Sequence, residues 1–185
     1  MEIKKFAQPE KPINVDKSQV GSVVTPSKLK EESVSILTER IKDEYTAHYF
    51  YRSAANWCRN VNYKKAAEFF DKESESELEH AKGLQEYLDD FNIQPHIPQT
   101  ETDFQFSSLI DIINGAYKME YSLMESYNQS SSTLFTSDLT TFDFLQTYRN
   151  TQKDAVIEYS DLLNALILVD YNDKFQVLYF EQTYF

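Results

Sequence analysis

The segment YKKAAEFFDKESESELEHAKGLQEYLDD, residues 63–90, carries the strongest local signal in the chain. Apolar side chains recur in it at Ala66, Phe69 or Phe70, Leu78, Ala81, Leu84 and Leu88, with strong helix formers between them, and this 3.6-residue rhythm predicts one long amphipathic helix. Inside it, Glu77 and His80 form a Glu-x-x-His. Three residues of helix bring both side chains to neighbouring positions on one face, where they can grip metal together.

Upstream, Val34, Leu37, Ile41, Tyr45, His48, Tyr51 and Ala55 repeat at threes and fours, predicting a first helix that ends near Asn60. Thr25-Pro26 offers a cap followed by the residue favoured at a first helical position. Residues 1–27 mix Lys, Gln, Pro, Asn and Ser without a period and are expected to form a flexible extension, leaving 28–185 as the folded domain. Downstream, Phe91 to Phe106 holds Pro95, Pro98 and Asn92, and neither helix nor strand period survives there. A helix of about 27 residues is about 40 Å long, and fifteen extended residues reach roughly 50 Å. The connection can therefore run the length of a bundle and set the third helix parallel to the second.

That third helix is expected to start at a Ser107 or Ser108 cap and run through Leu109, Ile112, Ile113, Ala116, Met119, Leu123 and Tyr127 before dissolving in the polar Gln129–Thr133. A fourth, capped by Thr140 or Thr141, has Phe144, Leu145, Tyr148, Ala155, Tyr159, Leu162, Leu163 and Leu166 on its inner face. After a break at Asp170–Asp173 comes a short apolar segment, Phe175–Phe185. The fold class is all-α: a four-helix bundle with a long crossover between the second and third helices and a short fifth helix.

Composition agrees. Three Gly and five Pro against thirteen Tyr and thirteen Phe leave too few turn residues for a sandwich or barrel. Thirty acidic against eighteen basic residues, a net charge of −12, repel phosphate backbones and attract cations, so nucleic acid is not an expected partner. Cys58 is the single cysteine and has no intrachain disulfide partner. The start lacks the apolar stretch of a signal peptide, and Ala165–Val169 is the longest aliphatic run. Neither a membrane span nor export is expected; a cytoplasmic location is.

The chemistry is carried by acids on apolar faces. Glu44 and Tyr51 lie two turns apart on the first helix. Glu44 and Glu77 each sit about 17 residues from the connection between the first two helices, so antiparallel packing brings both to one height. Glu120 stands in the otherwise apolar Tyr117–Met124, where an unpaired carboxylate is costly and a metal would account for it. Hard oxygens with one imidazole suit a non-haem iron pair. The fourth helix lacks a second Glu-x-x-His and offers Gln152 and Asp154 instead.

Over roughly residues 28–180 the sequence resembles a non-haem ferritin, of the ferritin-like di-iron family. The matching stretches are SAANWCRN (53–60), KKAAEFFDKESESELEHA (64–81), AYKMEYSL (116–123), TTFDFLQTYRNTQ (140–152) and LYF (178–180). The resemblance implies Glu44, Glu77 and His80 as ligands of a first iron, Glu77 and Glu120 as ligands of a second, Tyr51 as the tyrosine of the ferroxidase centre and Gln152 as the polar residue beside it. It implies oxidation of Fe(II) by dioxygen or peroxide, storage of ferric mineral, and a homo-oligomeric shell of 24 subunits. Ala155 stands where bacterial relatives usually carry Glu, and Ser76 and Thr151 replace further acids of a third iron site, although Asp154 is nearby. Leu78 and Glu79 occupy the place of a haem-ligating Met, so no haem is expected.

Plainer readings stand beside these. Tyr51 can be core packing, and Gln152 can satisfy backbone groups. His48, one turn from Glu44, reads as an ordinary hydrogen-bonded histidine rather than an outer ligand; His96 is a loop residue and Cys58 helix-end packing. Glu75 and Glu79 can be solvated or can face a shell interior and nucleate mineral. The rival functions are an unassembled di-iron oxidase or peroxide scavenger, and a helical shell-building subunit with a vestigial metal site.

Overall fold

The computed structural model describes residues 28–185. The Thr25-Pro26 cap and the extension over 1–27 lie outside the described residues. Five helices follow in order: α1 (Glu31–Asn60), α2 (Lys64–Asp90), α3 (Leu109–Ser137), α4 (Leu139–Leu166) and α5 (Lys174–Tyr184). No strand occurs among the described residues.

The ends of α1 and α2 follow one design. Asn62 (φ 68°) and Asn92 (φ 56°) take the left-handed conformation, a place where a Gly-poor chain turns to Asn. The Asn62 N–H donates to the Arg59 carbonyl and the Tyr63 N–H to that of Cys58. Asn92 and Ile93 repeat the pattern on Asp89 and Leu88, a Schellman closure of both helices. Ile93 and Leu88 then pack in one apolar cluster.

The crossover climbs alongside α1. Ile93 is buried with Leu37 and Ile41, Thr100 hydrogen-bonds to Thr46, and Phe104 and Phe106 meet Phe50 edge-on at 5.3 and 5.2 Å. It traverses much of the bundle, so α3 returns parallel to α2 and antiparallel to α1.

Three helix boundaries depart from expectation: α1 begins at Glu31 after an extended Lys30 rather than at Pro26, and the other two concern α3 and α4. The polar run Gln129–Thr133 does not end α3, which continues to Ser137. The Ser130 hydroxyl donates to the Ser126 carbonyl and accepts from Arg40, and Thr133 and Ser137 donate to carbonyls four residues back. Nor do Thr140 or Thr141 cap α4. Asp138 closes α3 and opens α4, its side chain accepting from the Thr141 N–H and from Ser33 Oγ at 2.7 Å, which ties the turn to the start of α1. Ser108 does cap α3, accepting from the Asp111 N–H.

The apolar interior falls into two clusters. One gathers Phe50, Phe70, Ile112, Ile113, Tyr159 and Phe180; the other gathers Leu37, Ile41, Leu84, Leu88, Tyr127 and Leu145. Between them along the helices lies a layer holding the buried polar residues Glu44, Glu77, Glu120 and Gln152.

Candidate metal centre

Every helix of the four-helix bundle contributes to that layer. Glu44 and Glu120 are fully buried, Glu77 is 4% exposed and Gln152 1%; the His80 side chain keeps a 22% opening to solvent. A carboxylate oxygen of Glu44, one of Glu77 and a ring nitrogen of His80 all lie within 4.8 Å of one another. His80 Nδ1 is 2.8 Å from Glu77 Oε2 and 3.5 Å from Glu44 Oε2. The i, i+3 spacing on α2 and the antiparallel packing of α1 against it thus deliver the grouping anticipated for these three residues.

Glu120 approaches from α3 and is held by the Tyr51 hydroxyl, which donates to Glu120 Oε1. Glu120 is not part of that three-residue grouping, but when ionised it raises both Glu77 and His80. Three buried oxygens are left without a hydrogen bond: Glu44 Oε2, Glu120 Oε2 and Gln152 Oε1. Unpaired acceptors in an interior are costly unless a cation or a proton meets them.

Protons occupy the pocket unevenly. Burial lifts Glu120 to about 8, the Tyr51 hydrogen bond working against that and the Glu44 charge with it. Burial and the Glu44 charge hold Glu77 far above the ordinary carboxylate range. Burial would also raise Glu44, but His80 and Glu77 outweigh it and hold Glu44 low. His80 goes up: burial opposes its charge, and Glu44 more than compensates. At neutral pH Glu120 keeps its proton, Glu77 and His80 are both shifted toward their protonated forms, and an entering divalent ion would displace protons from the cluster.

Tyr51 and Tyr127 are both fully buried and stay phenols, burial and the neighbouring carboxylate charges pushing each far above 10. Tyr127, placed by its sequence only on the apolar stripe of α3, donates to Glu44 Oε1. Glu73, one turn before Glu77, was also unmarked. It is raised to about 7 by burial and then by Glu158, and it accepts from Tyr159 Oη at 3.4 Å. It stands in the acidic run Asp71, Glu73, Glu75, Glu77 and Glu79, which spans several faces of α2, so its sequence does not set it apart from the solvated members.

The remaining candidates sit apart from the three-residue grouping. His48 Nδ1 contacts Ser74, 2.7 Å from its carbonyl and 3.0 Å from its hydroxyl. Asp154 is exposed and pairs with Lys153 at 3.0 Å. Glu75 and Glu79 are exposed, Glu79 bridging to Lys82 at 2.5 Å. Cys58 is buried, its thiol pushed up to about 12 by burial and then by Glu181, so it is inert packing. His96 is half-buried in the crossover.

Residues 34–169 match the family model of the ferritin-like domain. The chain is a ferritin-family protein. Its relatives include a bacterial non-heme ferritin of Campylobacter jejuni, 28% identical over 143 residues, which cover 76% of this chain and 86% of that protein. A ferritin-2 heavy chain of Schistosoma mansoni is 31% identical over 141 residues, 71% of this chain and 80% of the relative. An open pore ferritin from the hyperthermophilic archaeon Archaeoglobus fulgidus superposes with a TM-score of 0.76 at 19% identity, covering 84% of this chain and 96% of that one; this likeness concerns the fold. The non-haem ferritin family is the one expected from the motif stretches, and iron storage is its general role. Among the described residues no helix is long and apolar enough to cross a membrane.

Proposed function

We propose that this ferritin oxidises the iron it stores, at a di-iron ferroxidase centre within each subunit. The observation that carries the reading is the grouping of buried Glu44 and Glu77 with half-buried His80, beside buried Glu120, with one oxygen each of Glu44 and Glu120 lacking a hydrogen bond. Glu44, Glu77 and His80 hold one Fe(II), Glu77 and Glu120 hold the second, and Glu77 is the shared ligand. Tyr51 fixes the orientation of Glu120, and Gln152 supplies a neutral oxygen from α4. Two Fe(II) give one electron each to dioxygen, which takes up two protons and leaves as hydrogen peroxide, or they reduce peroxide in its turn. The chain supplies ligands, dryness and proton acceptors; the substrate metal supplies the electrons.

Storage as ferric mineral needs an enclosure, which we assign to a 24-subunit shell of this chain. Ile167, Leu168, Phe175 and Tyr179 are 73%, 83%, 73% and 64% exposed at the α4–α5 end, the kind of apolar patch that marks an association surface. Exposed Glu75 and Glu79 on α2 are the acids offered for mineral nucleation. Location in the cytoplasm belongs to the same proposal.

Anaerobic Fe(II) titration followed by stopped-flow oxidation tests the centre. The wild-type chain is expected to take up two Fe(II) and oxidise them rapidly, and Glu77→Ala and His80→Ala to keep their helicity while losing rapid oxidation. Unchanged kinetics in both variants would overturn the assignment. Size-exclusion chromatography tests the shell, which elutes near twenty-four times the 21.7 kDa chain; an unassembled oxidase does not.

A further inference from the structure

The hydrogen bonds around Glu44 and Glu120 are reciprocal. Tyr51 of α1 donates to Glu120 of α3, and Tyr127 of α3 donates to Glu44 of α1. Each tyrosine lies seven residues after the acid of its own helix, the two-turn offset that antiparallel helices convert into a matched pair of cross-links. In each case the tyrosine occupies Oε1, and Oε2 is the oxygen left buried without a hydrogen bond.

The Tyr127 ring is itself fixed. It stacks on Tyr148 at 5.6 Å with an interplanar angle of 16°, and the Arg40 guanidinium lies 5.7 Å from its centroid. Arg40 is held in turn by the Ser126 carbonyl at 2.7 Å, Ser130 Oγ at 2.8 Å and Asp43 at 2.7 Å. A hydroxyl needed only to satisfy its own hydrogen bond would not require such a frame. A hydroxyl that sets the rotation of a carboxylate would.

We propose that Tyr127 is a positioning residue of the metal centre: it engages Glu44 Oε1 and commits Glu44 to bind metal through Oε2 alone, the counterpart on one side of the pocket of what Tyr51 does for Glu120 on the other. This rests on the metal-centre reading above. Removal of the hydroxyl leaves the carboxylate free to rotate and frees a second oxygen for chelation, so affinity and coordination geometry at that position both change. Loss of such a supporting hydrogen bond typically lowers metal affinity by about tenfold or more.

The test is anaerobic Co(II) titration of the metal-free full chain, by calorimetry and by visible absorption, for wild type, Tyr127→Phe, Tyr51→Phe and, as a control for loss of a distant hydroxyl, Tyr87→Phe. Wild type and Tyr87→Phe are expected to bind two Co(II) alike. Tyr127→Phe should retain two but bind one about tenfold more weakly, with an altered Co(II) band, and Tyr51→Phe should perturb the other. In iron oxidation Tyr127→Phe should raise the half-saturating Fe(II) by a similar factor with little change in the limiting rate. Identical affinity and spectrum in Tyr127→Phe overturn this inference while wild-type binding of two ions preserves the centre; no stoichiometric binding by wild type overturns both. Independently of any variant, a Co(II)-soaked wild-type crystal should have Glu44 on the metal through one oxygen with Tyr127 on the other, and two-oxygen ligation by Glu44 would refute it.

Discussion

Glu181 of α5 caps the first turn of α2, its Oε1 accepting from the Lys65 N–H at 2.7 Å and also from that of Ala66 at 3.0 Å. The N-cap residue of α2, Tyr63, makes no side-chain cap of its own, so a fully buried carboxylate from the last helix satisfies orphan donors and meets the positive end of the helix dipole. Glu181→Ala should cost about 1–2 kcal/mol, a fall of roughly 2–8 °C in Tm for a chain of this size. Thermal melts by circular dichroism at matched assembly state check it, and an unchanged Tm would mean that α5 is not anchored there.

Metal uptake should release protons. At pH 7 Glu120, at about 8, is protonated, Glu77 is shifted in the same direction, and a bound cation requires both ionised. Titration of Zn(II) at pH 7 in buffers of different ionisation heat should yield at least one proton liberated per chain, with affinity rising from pH 6 to 9. Heats that are independent of the buffer would contradict the protonation pattern.

The metal-free protein should lose stability as pH rises from about 5 to 8. Glu120 at about 8 and Glu73 at about 7 both lie above the unfolded value near 4.5. The native state therefore holds protons that the unfolded chain has released, and their contribution is complete below 4.5 and lost as pH climbs through 7 and 8. His80, also raised, acts in the same sense, whereas Glu44, held low, contributes stability lost only toward acid. Urea midpoints across this range should fall, and Glu120→Gln should flatten the slope; a profile that rises toward pH 8 would refute this.

Gly83 should not tolerate a methyl group. A Cβ there would come within 2.5 Å of Tyr148 Oη, the end of a rigid ring stacked on Tyr127. Gly83→Ala normally gains about 1 kcal/mol in a helix; here a net loss of about 1–2 kcal/mol is expected from overpacking. Tyr148→Phe in the same chain should restore much of it. A Gly83→Ala protein that melts higher than wild type would show that the ring gives way.

How much of this is legible in the sequence depends on the range of the forces involved. The long helices, the crossover and the Ser108 cap follow from periodicity and local chemistry. The continuation of α3 past Gln129 does not, because Arg40, about ninety positions away in sequence, accepts part of the burden of its serines. Asp138 as a joint cap was missed because Thr140 and Thr141 offer the same local chemistry; only its bond to Ser33 distinguishes it. The approach of Glu77 and His80 to Glu44 was readable from acids on apolar faces at equal heights. Tyr127 had a signal too, since it repeats after Glu120 the seven-residue step from Glu44 to Tyr51, but that step acquires meaning only once α1 and α3 are known to run antiparallel. Glu73 had none: an acid inside an acidic run is indistinguishable from its solvated neighbours until Tyr159 is seen above it.

The division of the interior into two apolar clusters has a mechanical consequence. Each end of the barrel-shaped stack is an oily plug that can hold its own helix ends together, while the middle relies on charge. Metal held by the proposed ligands would tie α1, α2 and α3 together at mid-height. Amide hydrogen exchange should therefore slow most at mid-helix, around Glu44, Glu77 and Glu120, when metal is added, with the two plugs hardly affected.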